Sequence, residues 1–368
     1  MVEGGGEGPT PSRGAPSLGV LVTVFHRSRF YRDALASIAE QVGPLPRVEV
    51  VVVHSPDVTI DVPARFNTQG WTCRAVRSEA VGEGPFLADG LDALATDFVV
   101  PLDDDDLWTP WRLATVGQAL AAVPSVAYYH NGQEFVDADG GPVTAASARR
   151  HLRRFSGSPR GTPVVVGPAS LRRSPGRLAR WGSSFNNSSV AIRRSVLDDC
   201  VEDLRATKRL IDSFMFYAGA ASGGALVFDP RRLTRYRIHT WNRSRGARTL
   251  GPFERAEPSQ TREGRLASLE AMGRMVHRRG ADWLVPWVDH DRTYFDLLEG
   301  LREGESDRVR TLRRSFRLAR YVRYGDPVMN LVLVFTGAAQ AVAPGVAFRA
   351  YWSEDPTPPA ALAADGPR

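Results

Sequence analysis

The chain has 368 residues, 43% hydrophobic and 24% charged, which is enough for one large domain or two modest ones with a sizeable core. Its formal charge of +6 comes almost wholly from arginine, with Lys208 the sole lysine. The excess is modest and the densest arginine clusters fall in an irregular middle segment and near the C-terminus, so no nucleic-acid partner is expected. Cys73 and Cys200 stand far apart with no CxxC spacing, which points to neither a zinc site nor a disulfide framework and fits a reducing cytoplasm.

Residues 1–16 are rich in Gly and Pro and have no apolar core; they read as a disordered leader and not as a secretory signal. From Leu18 a short apolar run to Phe25 predicts a strand. Tyr31, Leu35 and Ile38 then recur at helical spacing. The β-branched run Val48 to Val53 predicts a strand buried on both faces. Leu87, Leu91 and Leu94 mark a second helix, and the strand Phe98 to Leu102 empties into Asp103, Asp104, Asp105 and Asp106. A third helix is expected with Thr109 as N-cap, Pro110 at its first position and Leu113, Val116 and Leu120 on one face. This alternation predicts an open α/β sheet with right-handed crossovers.

Residues 140–180 are rich in Gly, Pro, Ser and Arg and are expected to form a long mobile basic loop. Strands at Ser188 to Ile192 and Ala225 to Phe228, with helices from Ser195 and across Leu210 to Ala221, complete a catalytic domain spanning 17–245. Residues 258–368 read as a helical extension. Arginines dominate from Arg302 to Arg323, whereas the run Val328 to Phe348 carries no charged residue. Such a run can pack as core helices, rest peripherally on the inner face of the cell membrane or, least well given Asn330, Gly337, Gln340 and Pro344, span it.

Four consecutive carboxylates at the end of a buried strand repel one another, and each costs free energy unless a cation or donor offsets it. In an extended chain Asp103 and Asp105 would share a side and could face one ion, with all-oxygen ligation favouring Mn2+ or Mg2+ over zinc. The location agrees, because open α/β sheets bind ligands outside the carboxyl ends of their strands. A solvated turn with a capping acid is the plainer reading of an isolated acidic run.

The segment from Leu102 through the four aspartates and Leu-Trp-Thr-Pro-Trp-Arg to Leu113 resembles the signature of family 2 glycosyltransferases of the GT-A fold. Val20 to Gln41, Asn187 to Leu197, Asp212, and Leu233 to Ser244 follow in that family's order. The resemblance implies a Rossmann-like, mostly parallel sheet flanked by helices, and an inverting sugar transfer from a UDP-, GDP- or dTDP-sugar to a glycan, lipid-linked or natural-product hydroxyl. It implies Asp103 and Asp105 as metal ligands, with His239 as a third ligand or a diphosphate contact. Asp212 would be the catalytic base, although Ile211 stands where the family commonly has Glu. Asp104 and Arg237 would contact the donor, and Phe25 and Asp57 remain as candidates for its nucleoside, the paired acids usual after the second strand being absent. A noncatalytic sugar-binding protein and a sugar-phosphate nucleotidyltransferase are the competing functions. The latter needs a Gly-rich phosphate loop that Phe25 to Phe30 lacks.

Overall fold

The computed structural model describes residues 16–25, 29–63, 66, 70–143, 161–173, 178, 182–239, 258–302, 306–325 and 327–342. The chain divides into two compact units. One comprises Met1–Glu134, Ser158–Ser170 and Ser183–Arg237; the other comprises Phe135–Gly157, Leu171–Gly182 and Ile238–Arg368.

The first unit is built on a nine-stranded sheet: β1 (Leu18–Val24), β2 (Val48–His54), β3 (Thr72–Arg77), β4 (Phe98–Asp103), β5 (Leu107–Trp108), β6 (Val126–Val136), β7 (Val164–Val166), β8 (Val190–Arg193) and β9 (Ala225–Arg237). The strand order is β3-β2-β1-β4-β8-β6-β9-β5, with β7 also pairing β9. β3, β2, β1 and β4 run parallel, whereas β8 is antiparallel to both β4 and β6. β1 and β2 are buried almost throughout, which is why their sequences are continuous apolar runs rather than alternating ones.

One face of the sheet packs against helix Tyr31–Ala39 through Tyr31, Leu35 and Ile38, and against helix Arg112–Ala122 through Leu113, Val116 and Leu120. On the other face the helix Glu83–Leu91 approaches so closely that a Cβ on Gly90 would lie 2.3 Å from side-chain atoms of both Leu21 and Val53. Glycine there sets the helix-to-sheet spacing.

Several expectations are corrected. The helix after the acidic run starts at Arg112, not at Pro110. The Thr109 hydroxyl caps nothing, and its backbone is engaged elsewhere: Thr109 N donates to Leu233 O of β9 at 3.0 Å and Gln41 Nε2 donates to Thr109 O at 2.8 Å. Within residues 140–180, expected to be loop, β7 pairs with β9, Val165 opposite Val227, and a helix follows at Pro168–Arg173. The remainder of that segment falls largely outside the described residues, as does the leader. β9 continues nine residues past Phe228, and β3, β5 and β6 complete a sheet larger than the sequence showed.

The second unit contains the helices Pro258–Arg278, Val285–Arg302, Arg308–Ala319 and Pro327–Val342. Leu297, Leu298, Leu301, Leu318 and Leu333 form a core of their own. Among the described residues no helix is long and apolar enough to cross a membrane.

Candidate functional site

Asp103 closes β4, and Thr23 lies opposite it on β1. β2 and β3 lie on one side of β1 and β4 on the other, so this pair marks the point where the strand order reverses and the strand ends leave a crevice for a ligand. The chain then turns instead of continuing extended. Asp104 and Asp105 occupy the turn and Asp106 N donates to Asp103 O at 3.2 Å. The alternation expected of an extended run therefore does not place these carboxylates; the turn does.

The acidic side chains separate by role. Asp106 is 1% exposed and its Oδ1 accepts from the Arg237 amide at 3.0 Å, tying the turn to the end of β9. Burial, then Asp105 and Asp103, drive its carboxyl well above the usual range. Arg237 was expected at donor phosphate. Its buried guanidinium instead donates from Nε to Asp105 O at 2.9 Å and from Nη2 to Asp33 at 2.9 Å, stacked over Phe30. That places it as a brace of the acidic turn. Beneath the turn, Trp108 Nε1 donates to Ser188 O at 2.9 Å and Arg112 stacks on the Trp108 ring while bonding Asn131 and Val190 O. Burial lowers the pKa of Arg112 to about 9.

Asp103 is half-buried by its exposure yet closely surrounded by protein. Burial and then the neighbouring Asp105 push its pKa up to about 7, against a hydrogen bond from Asn187 Nδ2 at 3.3 Å; Glu83 and Asp212 raise it further. Thr23 Oγ1 donates to the same oxygen at 3.4 Å. The structure thus gathers Asp105, Glu83 and Asp212 within electrostatic reach of Asp103.

Asp212 lies in the first turn of helix Ile211–Ala221. Burial raises its pKa to about 6; hydrogen bonds from Ser213 N (2.8 Å) and Asn186 N (3.2 Å) pull it down, and Glu83 pushes it up. Ile211, unusual in the resemblance, is 7% exposed, and an apolar residue suits that buried position. The two non-glycine residues with positive φ among those described both bracket this carboxylate. Leu210 (φ 61°) precedes the helix, and Asn186 (φ 71°) donates to Asp212. Asn186 is held in that costly conformation by Nδ2 donating to Gln133 Oε1 at 2.7 Å and by Oδ1 accepting from Ser188 N at 2.9 Å. Strain of this kind, locked by several bonds, is found where a side chain must be aimed.

Glu83, Gln133, Asn186 and Asn187 were not singled out from the sequence. Glu83 sits in Gly82-Glu83-Gly84 with no periodic signal, and Asn187 opened a matching segment without an assigned role. Among the other candidates, Phe25 stacks on Phe86 with ring centroids 4.1 Å apart at the exit of β1, and Asp57 is exposed beyond the end of β2. Asp104 is half-buried in the turn. His239 is 8% exposed and belongs to the second compact unit.

Among the described residues no group of three or more His, Cys, Asp or Glu is gathered tightly enough to hold a metal ion by itself. Asp103 and Asp105 nevertheless fit a hard divalent cation in kind. Both are oxygen donors, and their mutual repulsion in a buried setting is what such a cation relieves.

No known protein-family profile matches this chain, and no curated protein matches it in sequence. Solved structures do. Residues 1–349 of S. aureus TarS in complex with UDP and with UDP-GlcNAc match with TM-scores of 0.54 and 0.55, each at 12% identity and over 91% of both chains. The α/β sheet with its flanking helices is the GT-A glycosyltransferase fold.

Proposed function

We propose that this protein is a glycosyltransferase that carries a sugar from a nucleoside-diphosphate sugar to a hydroxyl acceptor with inversion at the anomeric carbon. The observation that carries this reading is the presence of two half-buried carboxyls with distinct surroundings, Asp103 at the switch point of a GT-A sheet and Asp212 within its electrostatic reach.

Asp103 and Asp105 would hold Mn2+ or Mg2+, and such an ion when bound offsets the charge of the donor diphosphate and of the departing nucleoside diphosphate. The protein's own groups do the rest. Arg237, through Asp105 O and Asp33, and Asp106, through the Arg237 amide, keep the acidic turn in one shape. Phe25 and Asp57, at the ends of β1 and β2, are proposed to flank the nucleoside, and Asp104 to contact the donor. Asp212, raised to about 6, remains a carboxylate at neutral pH with enough basicity to accept a proton. As the acceptor oxygen bonds to the anomeric carbon, its proton passes to Asp212 and the carbon–oxygen bond to the diphosphate breaks. One displacement from the opposite face inverts the centre.

The fold match to a TarS complex with UDP-GlcNAc supports UDP-sugars as the first donors to test, with GDP- and dTDP-sugars beside them. The test follows nucleoside diphosphate release from this panel, with Mn2+ and then with chelator. Release in Mn2+, lost with chelator and in Asp105→Ala, is expected. Donor binding without turnover across a broad acceptor panel would instead identify a noncatalytic sugar-nucleotide binder.

A further inference from the structure

The last two described helices are built inside out. Helix Pro327–Val342 carries no charged side chain, yet its polar residues face the protein. Asn330 is 1% exposed and bonds His290 Nε2 at 3.0 Å and Val322 O at 3.1 Å. Thr336 is buried as well, and a Cβ on Gly337 would fall 2.3 Å from Ser315 Oγ, so that face is in close contact with the preceding helix. Its large apolar residues point the other way: Val328, Leu331, Phe335 and Val342 are 60, 44, 68 and 79% exposed. At 100° per residue these four fall within an arc of about 60°, opposite Leu333.

Helix Arg308–Ala319 repeats the inversion. It buries Thr311, Ser315 and Leu318 and exposes Val309 and Phe316. By the same rotation Arg313 and Arg320 share the outward face with these two, and both are exposed. A helix in contact with water has its apolar stripe inward and its polar face outward. Here both helices turn an apolar stripe outward.

We propose that these two helices form a docking face for an anionic lipid bilayer, lying in the plane of its interface with Phe316, Leu331 and Phe335 in the acyl boundary and the arginines at the headgroups. Charge selects this occupant. Between Arg308 and Val342 the sequence has seven arginines and one acid, Asp326; Arg310, Arg314 and Arg317 pair with Asp307, Asp296 and Asp289, but the outward face keeps Arg313 and Arg320, so a second copy docked face to face would set like charges against one another, whereas anionic headgroups complement them. The proposal concerns the helical unit alone and stands whether or not the transferase reading holds.

The test is co-sedimentation of the full chain with phosphatidylcholine vesicles and with vesicles containing roughly a third phosphatidylglycerol. Binding to the anionic vesicles is expected, weakened as ionic strength rises to about 0.5 M. Phe335→Asp is expected to lower partitioning at least about tenfold, with an unchanged melting temperature because the residue is exposed. Should that variant fold poorly, Arg313→Glu with Arg320→Glu serves in its place and is expected to remove the preference for anionic vesicles. No binding to either vesicle, or equal binding to both, overturns the proposal. So does self-association without lipid that Phe335→Asp abolishes, which would identify a second copy as the occupant.

Discussion

Asp212 and Asp103 are both perturbed first by burial, but their neighbours assign them different work. Asp103 faces Asp105, a repulsion that the proposed cation would relieve; Asp212 accepts from backbone amides that favour its anion while burial opposes it, which suits the proposed proton acceptor. Replacing Asp212 with Asn is therefore expected to leave donor affinity within about twofold and to lower the turnover number by about 100- to 10,000-fold, read by titration and steady-state kinetics. A base of this kind works when deprotonated, so wild-type transfer should rise with pH through about 6. The stability linkage has the opposite sense. A carboxyl whose pKa is raised from 3.8 to about 6 on folding contributes stability that is fully present below the unfolded value and is lost as pH rises through the folded one. Asp212→Asn, which keeps one acceptor oxygen, is expected to be more stable than wild type by about 1–2 kcal/mol at pH ~8, with the difference gone below pH ~4. Thermal melts across that range check it; equal melting temperatures throughout would show that burial does not strain this carboxylate.

At the scale of elements, the site depends on how closely two segments approach. Helix Glu83–Leu91 begins where Glu83 N and Gly84 N donate to Lys208 O and Thr207 O, which brings Glu83 and the start of the Asp212 helix together. A Cβ on Gly84 would lie 2.0 Å from Leu204 O and 2.3 Å from Thr207 O, both rigid backbone. Gly84→Ala is thus expected to cost about 1–3 kcal/mol in denaturant unfolding and to lower transfer more than Glu83→Gln does, because it displaces the helix and not one charge. The parallel strands were legible because double burial writes them as apolar β-branched runs. β3 was not, because as an edge strand it is largely exposed and carries Arg74 and Arg77. β6 was hidden for the opposite reason: His130, Asn131 and Gln133 are buried but hydrogen-bonded to Phe185 O, Thr234 and Asn186, so the apolar pattern breaks inside the core. The far half of β9 was obscured by Asp229-Pro230-Arg231-Arg232, where Asp229 is fully buried against Arg231 and the Tyr129 hydroxyl.

Over the whole molecule, the sequence announced the acidic run, though not its turn, and the first and last helices of the sheet unit, because each is a contiguous signal. It could not announce Glu83, Gln133 or Asn186, whose meaning arises only when distant segments converge on Asp103 and Asp212. Nor did the apolar run near the C-terminus disclose its orientation; only the burial of Asn330 and the exposure of Phe335 show that its greasy side faces outward. The two compact units each have their own core, so loss of the site's function by a point change at Asp105 should leave both folded. The most direct measurement is calorimetric titration of Mn2+ into the full chain, alone and with UDP, GDP or dTDP, beside Asp105→Ala. Saturable uptake strengthened by a nucleotide and absent from the variant is the expected result. A well-folded wild-type protein that takes up neither Mn2+ nor Mg2+ under any of these conditions would contradict the metal-assisted transferase.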